Sequence, residues 1–101
     1  MTVEIQGRKP KHKTGEYYRI HRLAYCDLLD ILEECHAEDL LGTDVWTGLR
    51  YTDGVGPTDP EVCEKLAAVI EQRLEDTPEN NAKYKREFVT FLRTCGGFKK
   101  W

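Results

Sequence analysis

No apolar run in this chain approaches the ~18 residues that a membrane span requires. The opening stretch, Met1 to Gly15, also lacks the continuous apolar segment of a secretion signal. A cytoplasmic protein with no membrane partner is therefore expected, and its four cysteines are expected as free thiols. Short cysteine pairs are missing too. Cys26, Cys35, Cys63 and Cys95 follow one another at intervals of nine, 28 and 32 residues, whereas zinc sites usually pair cysteines two to four residues apart. Only Cys35 and His36 adjoin, and neighbours on a helix point about 100° apart. Gly54-Val55-Gly56 runs into Pro57-Thr58-Asp59, so it lacks the Gly-Lys-Ser/Thr that opens a phosphate-binding helix. Neither sign of charge dominates: 15 Lys and Arg stand against 18 Asp and Glu, for a net −3. No metal, cofactor or catalytic constellation is expected from these residues.

What is present fits one domain of 101 residues. Residues 1–15 combine a short alternating run, Thr2 to Gln6, with Arg8, Lys9, Lys11 and Lys13. They read as a basic arm carrying an edge strand. Residues 16–101 read as the compact domain. From about His21 to Ala37, Ala24, Leu28, Ile31, Leu32 and Cys35 recur at helical spacing, without a clean cap at the start. Val62, Cys63, Leu66, Val69, Ile70 and Leu74 form a second stripe. Asp59-Pro60-Glu61 marks its start, since Asp caps, Pro fits the first helical position and Glu suits the positive end of the dipole. Thr77-Pro78-Glu79 repeats that grammar before a third stripe of Tyr84, Phe88, Phe91, Leu92 and Cys95, which Gly96-Gly97 stops. Between the first two helices, Val45 to Gly56 suggests a hairpin, because Trp46, Tyr51 and Val55 suit strands and Asp53-Gly54 suits a tight turn. Phe98 and Trp101 are left to a short tail. The expected fold is α+β, with three amphipathic helices packed on a small antiparallel sheet or hairpin. An all-α three-helix bundle is the alternative.

Several groups bear on function. Cys35, Cys63 and Cys95 each fall on an apolar stripe, where cysteine commonly serves as a small hydrophobe. Asp27, Asp30 and Glu34 share a helix face that reads as solvated before it reads as acid–base chemistry. Trp46, Arg50 and Tyr51 are the binding candidates, because large aromatics and Arg are enriched in interface hot spots. The competing reading is that Trp46 and Tyr51 close one end of the core. Asp53 adjoins them, and Arg93 is a second cation able to serve a ligand. Arg73, on the apolar face of the second helix, is expected to snorkel or to bond the helix end. The basic arm could contact phosphate or an acidic partner through Arg8, Lys9, Lys11 and Lys13, because phosphate contacts need only cations. Nucleic acid is not the favoured partner, since the remainder of the chain is acidic.

Trp46, Gly48, Tyr51 and Gly54, then Leu66-Ala67-Ala68 and Pro78, and finally Phe88, Phe91, Arg93, Gly96, Gly97 and Phe98 make up a recurring layout. It resembles that of small bacterial or phage-type proteins with a Trp-x-Gly-x-x-Tyr segment and a closing Phe-x-x-Phe-x-Arg-x-x-Gly-Gly-Phe. The likeness covers about half of the chain. It implies a compact domain and brings no activity with it.

The leading functional expectation is a small non-enzymatic interaction protein that binds a protein partner, such as an accessory, immunity or inhibitor protein acting on a larger bacterial complex. Two alternatives are a module for a nucleotide or another anionic metabolite, held by Arg50 and Arg93, and a thiol or zinc protein. Homo-oligomers are compatible with any of these.

Overall fold

The computed structural model describes residues 2–76 and 78–101, with backbone alone for Asp76 and residues 79–81. In chain order its elements are β1 (Thr2–Gly7), β2 (Tyr17–His21), α1 (Arg22–Glu34), α2 (Ala37–Leu41), α3 (Thr43–Tyr51), α4 (Pro60–Arg73), α5 (Glu79–Thr94) and β3 (Phe98–Lys100). Single 3-10 turns occupy Lys13–Gly15 and Leu74–Asp76. The fold is α+β: helices pack on one face of a three-stranded antiparallel sheet of order β2-β1-β3. The all-α alternative is set aside by that sheet.

The three expected stripes become α1, α4 and α5. Leu28 and Leu32, Leu66 and Ile70, and Phe88, Phe91 and Leu92 are all buried in one core with Ile5, Ile20 and Phe98 from the sheet. Alternation along β1 sends Val3 and Ile5 inward and Thr2, Glu4 and Gln6 outward. Asp59 caps α4 as expected, accepting from the Glu61 amide at 2.9 Å, with Pro60 in the first turn. Thr77, the expected cap of the third helix, lies outside the described residues. Gly96 and Gly97 stop α5 at φ +64° and +94°, which a side chain would resist. Arg73 pairs with Glu34 at 2.8 Å across to α1.

Four expectations need correction. The segment from Val45 to Tyr51 is helical, so it forms no hairpin. Val45, Trp46 and Leu49 lie at helical spacing, and burying Trp46 and Leu49 outweighs the strand preference of Val, Trp and Tyr. Only Val55 behaves as strand, bridging to Lys100. Second, α1 does have a cap, since the His21 ring accepts from the Leu23 amide at 3.1 Å. Third, the segment after α5 is the strand β3 rather than a tail. Fourth, β1 is the central strand, not an edge, because it pairs with β2 on one side and β3 on the other. The backbone of the basic segment that follows is pinned to the end of α5. The amides of Arg8, Lys9 and Lys11 donate to Gly97, Cys95 and Thr94 at 2.8, 3.1 and 2.8 Å.

Three tyrosines tie the layers together. Tyr18 donates to the Tyr84 carbonyl at 2.9 Å, and Tyr84 donates to Asp27. Tyr25 donates to the Leu49 carbonyl at 2.7 Å, which is one of the carbonyls that the end of α3 leaves without a helical partner. Burial pushes all three phenols up from their ordinary value of 10.0. The unfolded chain ionises them near pH 10 while the folded chain keeps its protons. Stability contributed by these groups is thus intact below about pH 10 and is lost as pH rises beyond it. The urea midpoint should hold steady up to about pH 9 and fall above about pH 10, with tyrosinate absorbance appearing in step with unfolding. A midpoint insensitive to alkali would contradict it.

Candidate functional site

The binding candidates separate once folded. Trp46 is 7% exposed and belongs to the core, so the competing reading holds for it. Tyr51, on the same helix, is 81% exposed. Arg50 stands one turn after Trp46 and lays its guanidinium 5.0 Å from the indole centroid. Its outer edge pairs with Glu33 of α1 at 2.7 Å. Gly48 lets this helix approach the strand-like Val55, whose side chain would lie 2.4 Å from an added Cβ. Asp53 sits just beyond, 3.7 Å from the Lys100 ammonium. That ammonium also donates to the Thr52 carbonyl at 2.9 Å.

A cavity of about 200 Å³ opens at this corner of the molecule. Val3, Tyr25 and Leu29 give it an apolar floor, and the exposed Arg22 and half-buried Arg50 give it a cationic rim; Lys100 also lines it but is buried, with its ammonium on the Thr52 carbonyl. Tyr51 and the exposed Cys26 stand at its mouth. Leu23, 74% exposed, is one turn before Cys26 on α1. Sequence reasoning missed Arg22, Leu23 and Cys26. Leu23 could have been found as the large apolar residue off the stripe of an otherwise regular amphipathic helix.

Arg93 is not part of this corner. It lines a different cavity between α4 and α5, where it holds Glu71 at 2.8 Å and Glu64 at 3.4 Å. The hydrogen bond from Arg93 keeps the Glu71 carboxyl below its usual range. Arg8 is also committed to the fold, since its guanidinium donates to the Phe98 and Gly56 carbonyls, each at 3.1 Å. Lys9, Lys11 and Lys13 are exposed on the segment pinned to α5. The acidic stripe of α1 divides: Asp27 turns to Tyr84 and to Lys85 at 3.3 Å, Glu34 turns to Arg73, and Asp30 faces solvent.

Cys63 and Cys95 are sealed in the core. The hydrogen bond to the Cys95 sulfur, together with burial, pushes the Cys63 thiol up, away from the thiolate that nucleophilic chemistry uses. Cys35 is half-buried, with the Arg73 guanidinium 3.5 Å from its sulfur. Next to it, His36 adopts a left-handed conformation at φ +59° and ends α1. Among the described residues, no group of three or more His, Cys, Asp and Glu is placed to hold a metal ion. No helix among them is long and apolar enough to cross a membrane.

Searches against protein-family descriptions, curated proteins and solved structures find no match to this chain.

Proposed function

We propose that this chain is a small non-enzymatic interaction protein that grips a protein partner at the α1–α3 corner, in the manner of an accessory, immunity or inhibitor protein of a larger bacterial complex. The supporting observation is Tyr51, a ring 81% exposed at the mouth of an apolar-floored cavity. Tyr and Arg dominate interface hot spots, because they combine a large apolar body with polar groups that define geometry. The cavity, about 200 Å³, is smaller than the ~300–1,000 Å³ usual for small-molecule sites. It suits one inserted side chain better than a nucleotide. The cationic rim selects what accompanies that side chain: a partner segment with an apolar anchor flanked by carboxylates.

The test compares immobilised wild-type protein with Tyr51→Ala and Arg22→Glu. Both positions are exposed, so both variants should melt with the wild type. A partner held by the wild type should bind each variant about 10-fold or more weakly, in the range of a hot-spot loss. Partners retained equally by all three proteins would overturn the reading. Trp46→Ala is unsuitable as a probe, because Trp46 supports the core.

A further inference from the structure

Among the described residues no helix covers the outer face of the sheet, and the residues of that face are unlike those of an ordinary solvated face. Register sets Tyr17 across from Gln6, Gln6 across from Lys99, and Glu4 across from Arg19. The Trp101 amide donates to the Glu4 carbonyl, placing Trp101 in line with Glu4. Tyr17 and Trp101 are 51% and 49% exposed. Partial desolvation and the Glu4 carboxylate on the next strand push the Tyr17 phenol up from its ordinary value. The Trp101 indole rests over Gly54, where an added Cβ would come within 3.2 Å of the ring. The Lys99 ammonium stands 6.0 Å from the indole centroid. Two strands and two residues apart, the rings are separated by about 12 Å at their backbones.

Charge separates along the same boundary. Residues 2–21 and 98–101 carry seven Lys or Arg against two carboxylates, Glu4 and Glu16. Residues 22–97 carry eight against sixteen. The net charge of −3 thus conceals basic strand-bearing segments and an acidic helical one, although Arg8 and Lys100 commit their cations to the backbone carbonyls of Phe98, Gly56 and Thr52. Lys9, Lys11 and Lys13 are exposed beyond Gly7, on backbone held against the end of α5.

We propose that the open face of the β2-β1-β3 sheet binds single-stranded nucleic acid, stacking bases on Tyr17 and Trp101 while Lys9, Lys11, Lys13 and Lys99 follow the phosphates. Stacking needs no particular base, because every base has a π-face, and the phosphate contacts need only cations. The two rings leave room for an unstacked nucleotide between them. An intact duplex offers those rings no free base to stack on, and the helices that could enter its groove belong to the acidic layer. Glu4 opposes phosphate at the centre of the face, and Arg19 across the ladder offsets it. The backbone of the ligand therefore passes along the lysine side.

The test uses labelled oligothymidylate, oligouridylate and a short DNA duplex, with inorganic polyphosphate and anionic phospholipid vesicles as polyanions that lack bases. At low salt the single strands should bind more tightly than the other probes and should quench Trp101 fluorescence. The two oligonucleotides separate DNA from RNA. Tyr17→Ala and Trp101→Ala should each weaken binding about 10-fold or more while keeping the wild-type melting temperature. The affinity should fall with salt at a log–log slope of roughly −2 to −3, and Lys11→Gln should lower that slope by about 0.7. Glu4→Gln should tighten binding. Tyr51→Ala should leave it unchanged, so this surface and the α1–α3 corner stand or fall separately. The proposal is overturned if neither oligonucleotide binds, if polyphosphate, vesicles or duplex bind as tightly, or if binding survives loss of both rings.

Discussion

Trp46→Ala is expected to cost about 3–5 kcal/mol, the range for removing a large buried aromatic. Trp46 is 7% exposed and packs with Leu49 in the core. The Arg50 guanidinium, 5.0 Å over the ring, is anchored to Glu33, and the helix can only move toward Val55 by closing the Gly48 contact. A domain of this size is typically stable by about 5–15 kcal/mol, so the loss is a large fraction of the whole. The melting temperature should fall by more than about 10 °C, at 4–8 °C per kcal/mol. The urea midpoint should fall with it at unchanged slope. Arg50→Ala is expected to cost about 1 kcal/mol, from the exposed ion pair and the contact with the ring. A Trp46→Ala variant that melts with the wild type would contradict the place of Trp46 in the core.

Trp46 and Tyr51 also show where the sequence is readable and where it is not. Trp46 and Arg50 are four residues apart, and helical spacing joins them. The same residues read equally well as strand, because Val, Trp and Tyr favour pleated, half-buried surfaces. No side chain caps α3 at Gly42, and nine residues give weak periodicity. The arbitration comes from the tertiary core, which burial pattern alone does not reveal in so short a segment. By contrast α4 and α5 are legible because their signals are local: Asp59 and Pro60 at one start, Gly96-Gly97 at the other end. The cap of α1 is not legible in the sequence, because histidine stands outside the usual capping set.

The sheet is illegible for a different reason. β1 reads as a strand from its own alternation, but its central place depends on β3, three residues at the far end of the chain. Pairing between distant segments leaves no periodic trace in either. The same distance hides the aromatic face, since Tyr17 and Trp101 come to one face only through the register of β1 with both neighbours. The basic residues between Arg8 and Lys13 were visible as charge, but not as an ordered segment. Their backbone partners are the last residues of α5.

Gly15→Ala tests that ordering most severely. A Cβ on Gly15 would fall 2.0 Å from the Thr94 carbonyl oxygen and 2.3 Å from its carbon. These are backbone atoms, so no rotamer change relieves the contact. The last turn of α5 cannot retreat either, because Lys11 and Lys9 donate to Thr94 and Cys95 at 2.8 and 3.1 Å, and the Thr14 and Thr94 hydroxyls meet at 3.0 Å. Overpacking costs about 1–3 kcal/mol where side chains can yield, and more where they cannot. The expected loss is therefore at least about 3 kcal/mol, unless the segment peels away from α5. Either response has a signature. Global loss appears in the urea midpoint. Local release appears as faster tryptic cleavage after Arg8, Lys11 and Lys13 and as faster amide exchange at Lys9 and Lys11, because opening exposes groups that the fold protects. Were residues 8–15 a loose arm, the substitution would change none of these. An unchanged midpoint together with unchanged cleavage would separate the lysines from α5.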